Sequence, residues 1–177
     1  MSFPVFASGD VLNASDMNAV GLWLVKTQTV GTAQTSTTVS SVFSSSYDNY
    51  KVILSGIDWS VADTTVQFQP GGVSSLSYYG GGYFQIFGGG LNAFSLNAGA
   101  AGAVGITSTE PNGLVVDVLN PFVAQRTYMI GSLMVGQNYV ANYSSMLATN
   151  TSYTSLVVSA ASGTMTGGTI SVYGYKK

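Results

Sequence analysis

The sequence contains no cysteine and no histidine among its 177 residues. The absence of cysteine excludes disulfide bonds, thiolate metal ligands and thiol catalysis. The absence of histidine removes the most common general base and the most common metal ligand, and it excludes a Ser-His-Asp triad. We therefore predict that the protein is not an enzyme and that it uses no metal and no cofactor.

Charge is also scarce, because charged residues make up 7% of the chain, against roughly a quarter of an ordinary soluble domain. The net charge is −2, and the few basic residues are scattered. Without a basic patch the chain has no means to neutralise a run of phosphates, so we predict no nucleic-acid binding. A surface with so few charges is poorly protected against association, which predicts an oligomer or a component of a larger assembly.

Long apolar runs are missing as well. No stretch approaches the roughly 20 apolar residues that a membrane-spanning helix needs, and the N-terminus has no secretory signal pattern. The longest apolar runs, such as residues 22–25, have the length of a strand. We predict no membrane insertion.

A short helix is predicted near the N-terminus, within residues 6–21. Asn13 or Ser15 can cap its first turn, and Gly21 can end it. A helix of about two turns is marginal in water unless an apolar face docks on another surface. Either it caps the open end of its own β domain, or it attaches to a partner chain. The apolar residues assigned to this attachment are Phe6, Val11, Leu12, Met17 and Val20.

The rest of the chain is typical of β structure. In residues 64–69, Val66 and Phe68 alternate with polar residues, and Pro70-Gly71-Gly72 predicts a turn. Residues 31–46 indicate an edge strand or a long loop held by Val39, Val42 and Phe43. Apolar segments then recur about every ten residues, as in sandwiches and jelly rolls. The other predicted strands are 22–30, 51–59, 114–119, 127–135, 139–148, 155–160 and 169–175.

These patterns predict a mainly β fold. We expect an antiparallel, jelly-roll-like β-sandwich over residues 26–177, preceded by a short N-terminal anchor, residues 1–25, that contains the small helix. The run at 51–59 is continuous enough to predict a strand that is covered on both faces.

A glycine-rich region extends from Ser77 to Gly105 and contains three glycine clusters. The clusters match neither a Walker motif nor a dinucleotide-binding fingerprint, so they predict flexible loops. Aromatic residues among the glycines either pack within or between subunits, or they are displayed to bind sugars or proteins. The candidates for such binding are Tyr78, Tyr79, Tyr83, Phe84 and Phe87.

Asp58 and Asp63 flank one predicted loop. Two facing carboxylates are the requirement of a glycosidase, and carboxylate oxygens also bind calcium. Acids that flank loops are more often turn formers, so we assign neither residue to catalysis or to a metal.

The segment 6–19, with the sequence Phe-Ala-Ser-Gly-Asp-Val-Leu-Asn-Ala-Ser-Asp-Met-Asn-Ala, resembles the N-terminal segment of many structural proteins of tailed bacteriophages, particularly tail fibres. Segments 43–54, 119–121 and 162–174 are similar to the β-sandwich domains that close such fibres. The resemblance implies a virion protein with an N-terminal anchor and a jelly-roll-like body that is commonly trimeric and faces the host. The sequence shows no extended coiled coil, collagen-like repeat or repeated β shaft between anchor and body, which favours a short fibre or a knob placed directly on the virion.

We therefore expect a short tail fibre, located in the virion and built as a homotrimer. Its first residues contact other virion proteins, and its loops contact a host cell-surface glycan or protein. A capsid decoration protein or a collar protein is the alternative within this class. A polysaccharide-degrading enzyme or a sugar-binding module is the alternative outside it.

Overall fold

The structure is a computed structural model that describes residues 21–109, 112–135 and 139–175. In this part of the chain all regular secondary structure is β, in two antiparallel sheets. The predicted mainly β class is therefore confirmed. The predicted helix and the residues 1–20 around it lie outside the described residues. The described residues contain no helix that could span a membrane.

The larger sheet has nine strands in the order β1-β13-β3-β8-β9-β10-β5-β6, with β12 paired to the end of β3. Its strands are β1 Leu22–Thr29, β3 Asn49–Trp59, β5 Tyr78–Ile86, β6 Leu91–Gly99, β8 Asn112–Leu119, β9 Thr127–Val135, β10 Tyr139–Leu147, β12 Met165–Thr166 and β13 Thr169–Tyr175. The smaller sheet has the order β2-β11-β4-β7. Its strands are β2 Ser36–Val39, β4 Thr65–Pro70, β7 Gly102–Ile106 and β11 Leu156–Ala160.

Most predicted strands are present within a few residues, because their alternating patterns match the pleat of the sheet. Val66 and Phe68 are fully buried. Residues 36–39 form an edge strand, and Val39, Val42 and Phe43 are buried, as predicted. The prediction that residues 51–59 are covered on both faces is wrong. Val52 and Leu54 are buried, but Ile53 between them is only half-buried, because it lies on the outward face of the larger sheet.

The last strand, β13, lies between β1 and β3. Ile170 and Val172 are buried, whereas Tyr173 and Tyr175 lie half-buried on the opposite, outward face.

The glycine-rich region is not a set of flexible loops, apart from Gly88–Gly90, which lie at the turn between β5 and β6. Gly80, Gly81 and Gly82 lie within β5, and a Cβ atom at Gly82 would lie 2.5 Å from the carbonyl oxygen of Asn142 on β10. The missing side chains therefore let β5 pair closely with its neighbour. The entropy that glycine loses on ordering is offset by a nine-residue antiparallel pairing with β10.

The two sheets share one core, and β7 is the strand of the smaller sheet that lies over β9 and β10. Gly131 on β9 makes this approach close, because a Cβ there would collide with the carbonyl oxygen of Val104. Ser145 on β10 donates a buried hydrogen bond of 2.6 Å to the carbonyl oxygen of Ala103. Since β7 is the edge of the smaller sheet, the inward face of β5 and β6 is covered only in part, and a cleft results.

Candidate functional site

The five aromatic residues predicted for host binding do not form one cluster. Tyr78 is fully buried, and its hydroxyl donates a 2.9 Å hydrogen bond to the carbonyl oxygen of Val73. Burial raises the pKa of the Tyr78 phenol. Tyr78 therefore belongs to the core and is not available to a partner.

The other four residues do not share one surface, because side chains along β5 point alternately to its two faces. Tyr79 and Tyr83 are exposed on the outward face of the larger sheet, and Phe84 is half-buried on the inward face. Phe87 is exposed in the turn after β5. Host binding by these four residues stays a prediction, but they occupy three different surfaces.

The attachment residues Phe6, Val11, Leu12, Met17 and Val20 lie outside the described residues, so their role stays a prediction. The end of the proposed anchor is described, since Leu22–Thr29 forms β1 and pairs with β13. Residues 22–25 are thus part of the larger sheet.

Asp58 and Asp63 have different surroundings. Asp58 lies within β3, whereas Asp63 lies in the loop between β3 and β4 with a left-handed φ of 56°. The Oδ1 atom of Asp63 accepts a 2.9 Å hydrogen bond from the hydroxyl of Tyr139. In the described ranges, no group of three or more acidic residues is arranged to hold a metal ion.

Four aromatic rings and the Asp63 carboxylate surround the cleft beside β7, which we call the aromatic cleft. Phe84 packs on Tyr139 with ring centroids 5.4 Å apart, and Phe94 packs on Tyr143 at 5.6 Å. The cleft has a volume of about 430 Å³. Its lining residues are Asp63, Thr65, Phe84, Ile86, Phe94, Ile106, Tyr139 and Tyr143.

The cleft has a single carboxylate, Asp63, which lies exposed at its rim. No described lysine or arginine forms an ion pair with Asp63, whose carboxylate has Tyr139 as its hydrogen-bond partner. Burial and this hydrogen bond raise the pKa of Tyr139, and burial raises the pKa of Tyr143. Both phenols therefore stay neutral at physiological pH, and the cleft has a net negative charge.

A second feature is the outward face of β9, β10, β5 and β6, which we call the charge-free face. These four neighbouring strands contain no charged residue. Met134 is 62% exposed, Tyr83 50% and Ile130 46%. The larger apolar and aromatic side chains that point outward are Tyr79, Tyr83, Leu91, Tyr128, Ile130, Met134, Val140 and Met146.

A shallow depression of about 320 Å³ lies in the charge-free face. Its lining includes Tyr79, Tyr128, Ser144 and Met146. Its lining is almost wholly apolar. The face thus has both exposed apolar side chains and an apolar depression.

The charges next to this face neutralise each other. Lys51 Nζ lies 2.9 Å from Asp117 Oδ1, and the hydroxyl of Tyr175 donates a hydrogen bond to the same oxygen atom. The hydrogen bond with Asp117 raises the pKa of Lys51, so Lys51 stays protonated at neutral pH. The adjoining part of the sheet therefore adds little net charge.

Comparison with known proteins does not assign the chain to a family. No protein-family model matches it, and no curated protein has a similar sequence.

Tyr139, Tyr143 and Phe94 were not singled out by the sequence patterns. Asp63 and Tyr139 are 76 positions apart, and only the pairing of the strands brings them together. The lack of charge in the four charge-free strands is evident from the sequence. It does not predict that these four segments lie next to each other in one sheet.

Proposed function

We propose that this chain is a non-enzymatic structural protein of a tailed-bacteriophage virion, a short tail fibre that works as a homotrimer. In this proposal the two sheets form a jelly-roll-like β-sandwich that faces the host. The N-terminal residues 1–25 hold the fibre on other virion proteins. The proposal rests on the resemblance of segments 6–19, 43–54 and 162–174 to such fibres, and on one structural observation.

That observation is the charge-free face. Exposed apolar side chains scattered over a surface need no explanation, but a contiguous apolar face marks an interaction site. The core of a protein interface is typically depleted in charge and enriched in tyrosine and methionine. Tyr79, Tyr83, Tyr128, Met134 and Met146 on this face match that composition.

A second copy of the chain is the occupant that the charges favour. A face without charge meets its own copy without repulsion between like charges, and the neighbouring Lys51 and Asp117 neutralise each other. The low net charge of −2 also weakens the repulsion between whole copies. Closed rotational symmetry would bury this face in every copy and leave none exposed.

The strand β6 supports the same conclusion. It is the last strand of the larger sheet, and it contains neither lysine nor proline. Exposed strand edges of this kind invite pairing with other chains unless they are covered. Association next to β6 would protect this edge.

The position of the protein in an intact particle tests the proposal. We expect electron microscopy of labelled particles to place it at the tail, with a copy number that is a multiple of three, and we expect the purified protein to inhibit adsorption of the phage. Location on the capsid shell would identify a decoration protein instead of a fibre, and location at the collar would identify a collar protein. Absence from particles would reject a virion role.

A further inference from the structure

We propose that the aromatic cleft binds a quaternary ammonium group of the choline type. The half-buried rings of Phe84 and Phe94 supply most of the aromatic surface, the buried rings of Tyr139 and Tyr143 pack against them, and Asp63 supplies the opposing charge. All of these residues belong to one chain, so the site does not depend on how the chain assembles or on what particle carries it.

The cleft is accessible. Asp63 and Ile86 are exposed at its rim, while Phe84 and Phe94 are half-buried in its wall. The space of about 430 Å³ accommodates a small organic cation. A ligand can therefore enter without unfolding of the sheets.

The charge of the cleft selects a cation. Asp63 has no paired cation among the described residues, and its Oδ2 atom has no hydrogen-bond partner there. A cation held against aromatic faces is attracted by the negative potential of the rings, and the attraction is larger where water is displaced. The apolar wall supplies such an environment, while Asp63 balances the charge.

The scarcity of polar groups separates this ligand from a sugar. Apart from Asp63, the lining residues with polar side-chain groups are Thr65, Tyr139 and Tyr143, and the hydroxyl of Tyr139 is already bonded to Asp63. A sugar ring brings several hydroxyls, and each one buried without a partner opposes binding. A trimethylammonium group has no hydrogen-bond donor, and its methyl groups pack directly on the rings.

Binding to the purified full chain tests the proposal by titration calorimetry at low salt. The probes are choline and 3,3-dimethylbutan-1-ol, its uncharged isostere with carbon in place of nitrogen. We expect choline to bind saturably and the isostere to bind more weakly by about tenfold. Equal binding of the two, or no saturable binding of choline, would overturn the proposal without the need for any variant. Saturable binding of methyl glycosides in place of choline would assign the cleft to sugars.

Two variants locate the site. Asp63→Asn keeps an acceptor for Tyr139 and tolerates the left-handed φ of residue 63, since asparagine adopts it readily. We expect it to weaken choline binding by about tenfold, whereas Asp58→Asn, the same change on β3, leaves binding unchanged. If Asp63→Asn binds choline as tightly as the wild type and has the same unfolding midpoint, any bound choline lies elsewhere. That result would overturn the proposal.

Discussion

The hydroxyl of Tyr139 donates a 2.9 Å hydrogen bond to Oδ1 of Asp63. This bond joins β10 of the larger sheet to the loop that leads into β4 of the smaller sheet. It is therefore a direct polar link between the two layers at the mouth of the aromatic cleft.

Replacing Tyr139 by phenylalanine tests this link. Tyr139→Phe keeps the ring against Phe84 but removes the donor, so we expect the free energy of unfolding to fall by about 1 kcal/mol. Urea denaturation measures the change. Tyr83→Phe is the matched control, because Tyr83 is 50% exposed and should change stability by less than about 0.5 kcal/mol. An equal effect of both variants would show that the link does not stabilise the fold.

Stability should fall at alkaline pH because of the buried phenols. Burial raises the pKa of Tyr78, Tyr139 and Tyr143 above the ordinary value of about 10. Between the unfolded and the folded pKa the unfolded chain has lost protons that the folded chain retains. The free energy of unfolding is therefore unaffected by these groups below about pH 10 and decreases as pH rises above it. Urea titrations over this range, combined with phenolate absorbance, measure the effect, and a flat stability profile would contradict it.

The approach of the two sheets depends on Gly131. In Gly131→Ala the new Cβ collides with the carbonyl oxygen of Val104, which is backbone and cannot rotate away. We expect a loss of about 1–3 kcal/mol, as for other overpacked cores, measured by thermal or urea unfolding. Gly90→Ala is the control, because no atom lies within 4 Å of a Cβ at that position. A neutral Gly131→Ala would mean that β7 does not lie this close to β9.

The charge-free face should control association. Ile130→Lys places a charge on the outward side of β9 within this face, opposite Asp117 on the neighbouring strand β8, so the monomer tolerates it. Burial of that charge at an interface is costly, and we expect the trimer to dissociate at micromolar concentration in native mass spectrometry and sedimentation experiments. Val61→Lys, the same change at an exposed residue in the loop between β3 and β4, should leave the trimer intact. A wild-type monomer would contradict the proposed trimer, and a trimeric Ile130→Lys would exclude this face as the interface.

Removal of residues 1–20 separates attachment from folding. The shortened chain keeps all of β1, including the pairing of Leu22 with Tyr175. We expect an unchanged unfolding midpoint and loss of incorporation into particles, measured by calorimetry and by the protein content of purified virions. A shortened chain that does not fold would show that this segment completes the β domain instead.

Local patterns in the sequence predict much of the architecture. Val66 and Phe68 identify β4 and its buried face because alternation along a strand is a local property. The prediction of a loop was wrong for Gly80–Gly82. Glycine clusters favour loops, but here the backbone of β10 lies so close that a Cβ atom would not fit. β10 lies more than fifty residues later in the chain, so no local pattern could reveal this contact.

The candidate sites were less predictable than the strands. Phe84 was singled out together with Tyr78, Tyr79 and Tyr83 because they are close in sequence, yet strand alternation sends them to opposite faces. The partner of Phe84 in the aromatic cleft is Tyr139, which no local pattern connects with it. Sequence proximity was therefore a poor guide to a shared surface.

Residue order alone establishes the mainly β class, most strand positions, and the absence of cysteine and histidine chemistry, because composition and alternation act locally. Only the three-dimensional fold determines that four uncharged strands lie side by side and that Gly80–Gly82 belong to a strand rather than a loop. It also brings Asp63 within hydrogen-bonding distance of Tyr139. These features depend on the order of strands in the two sheets. That order is set by packing between residues that are distant in the sequence, so no single segment predicts it.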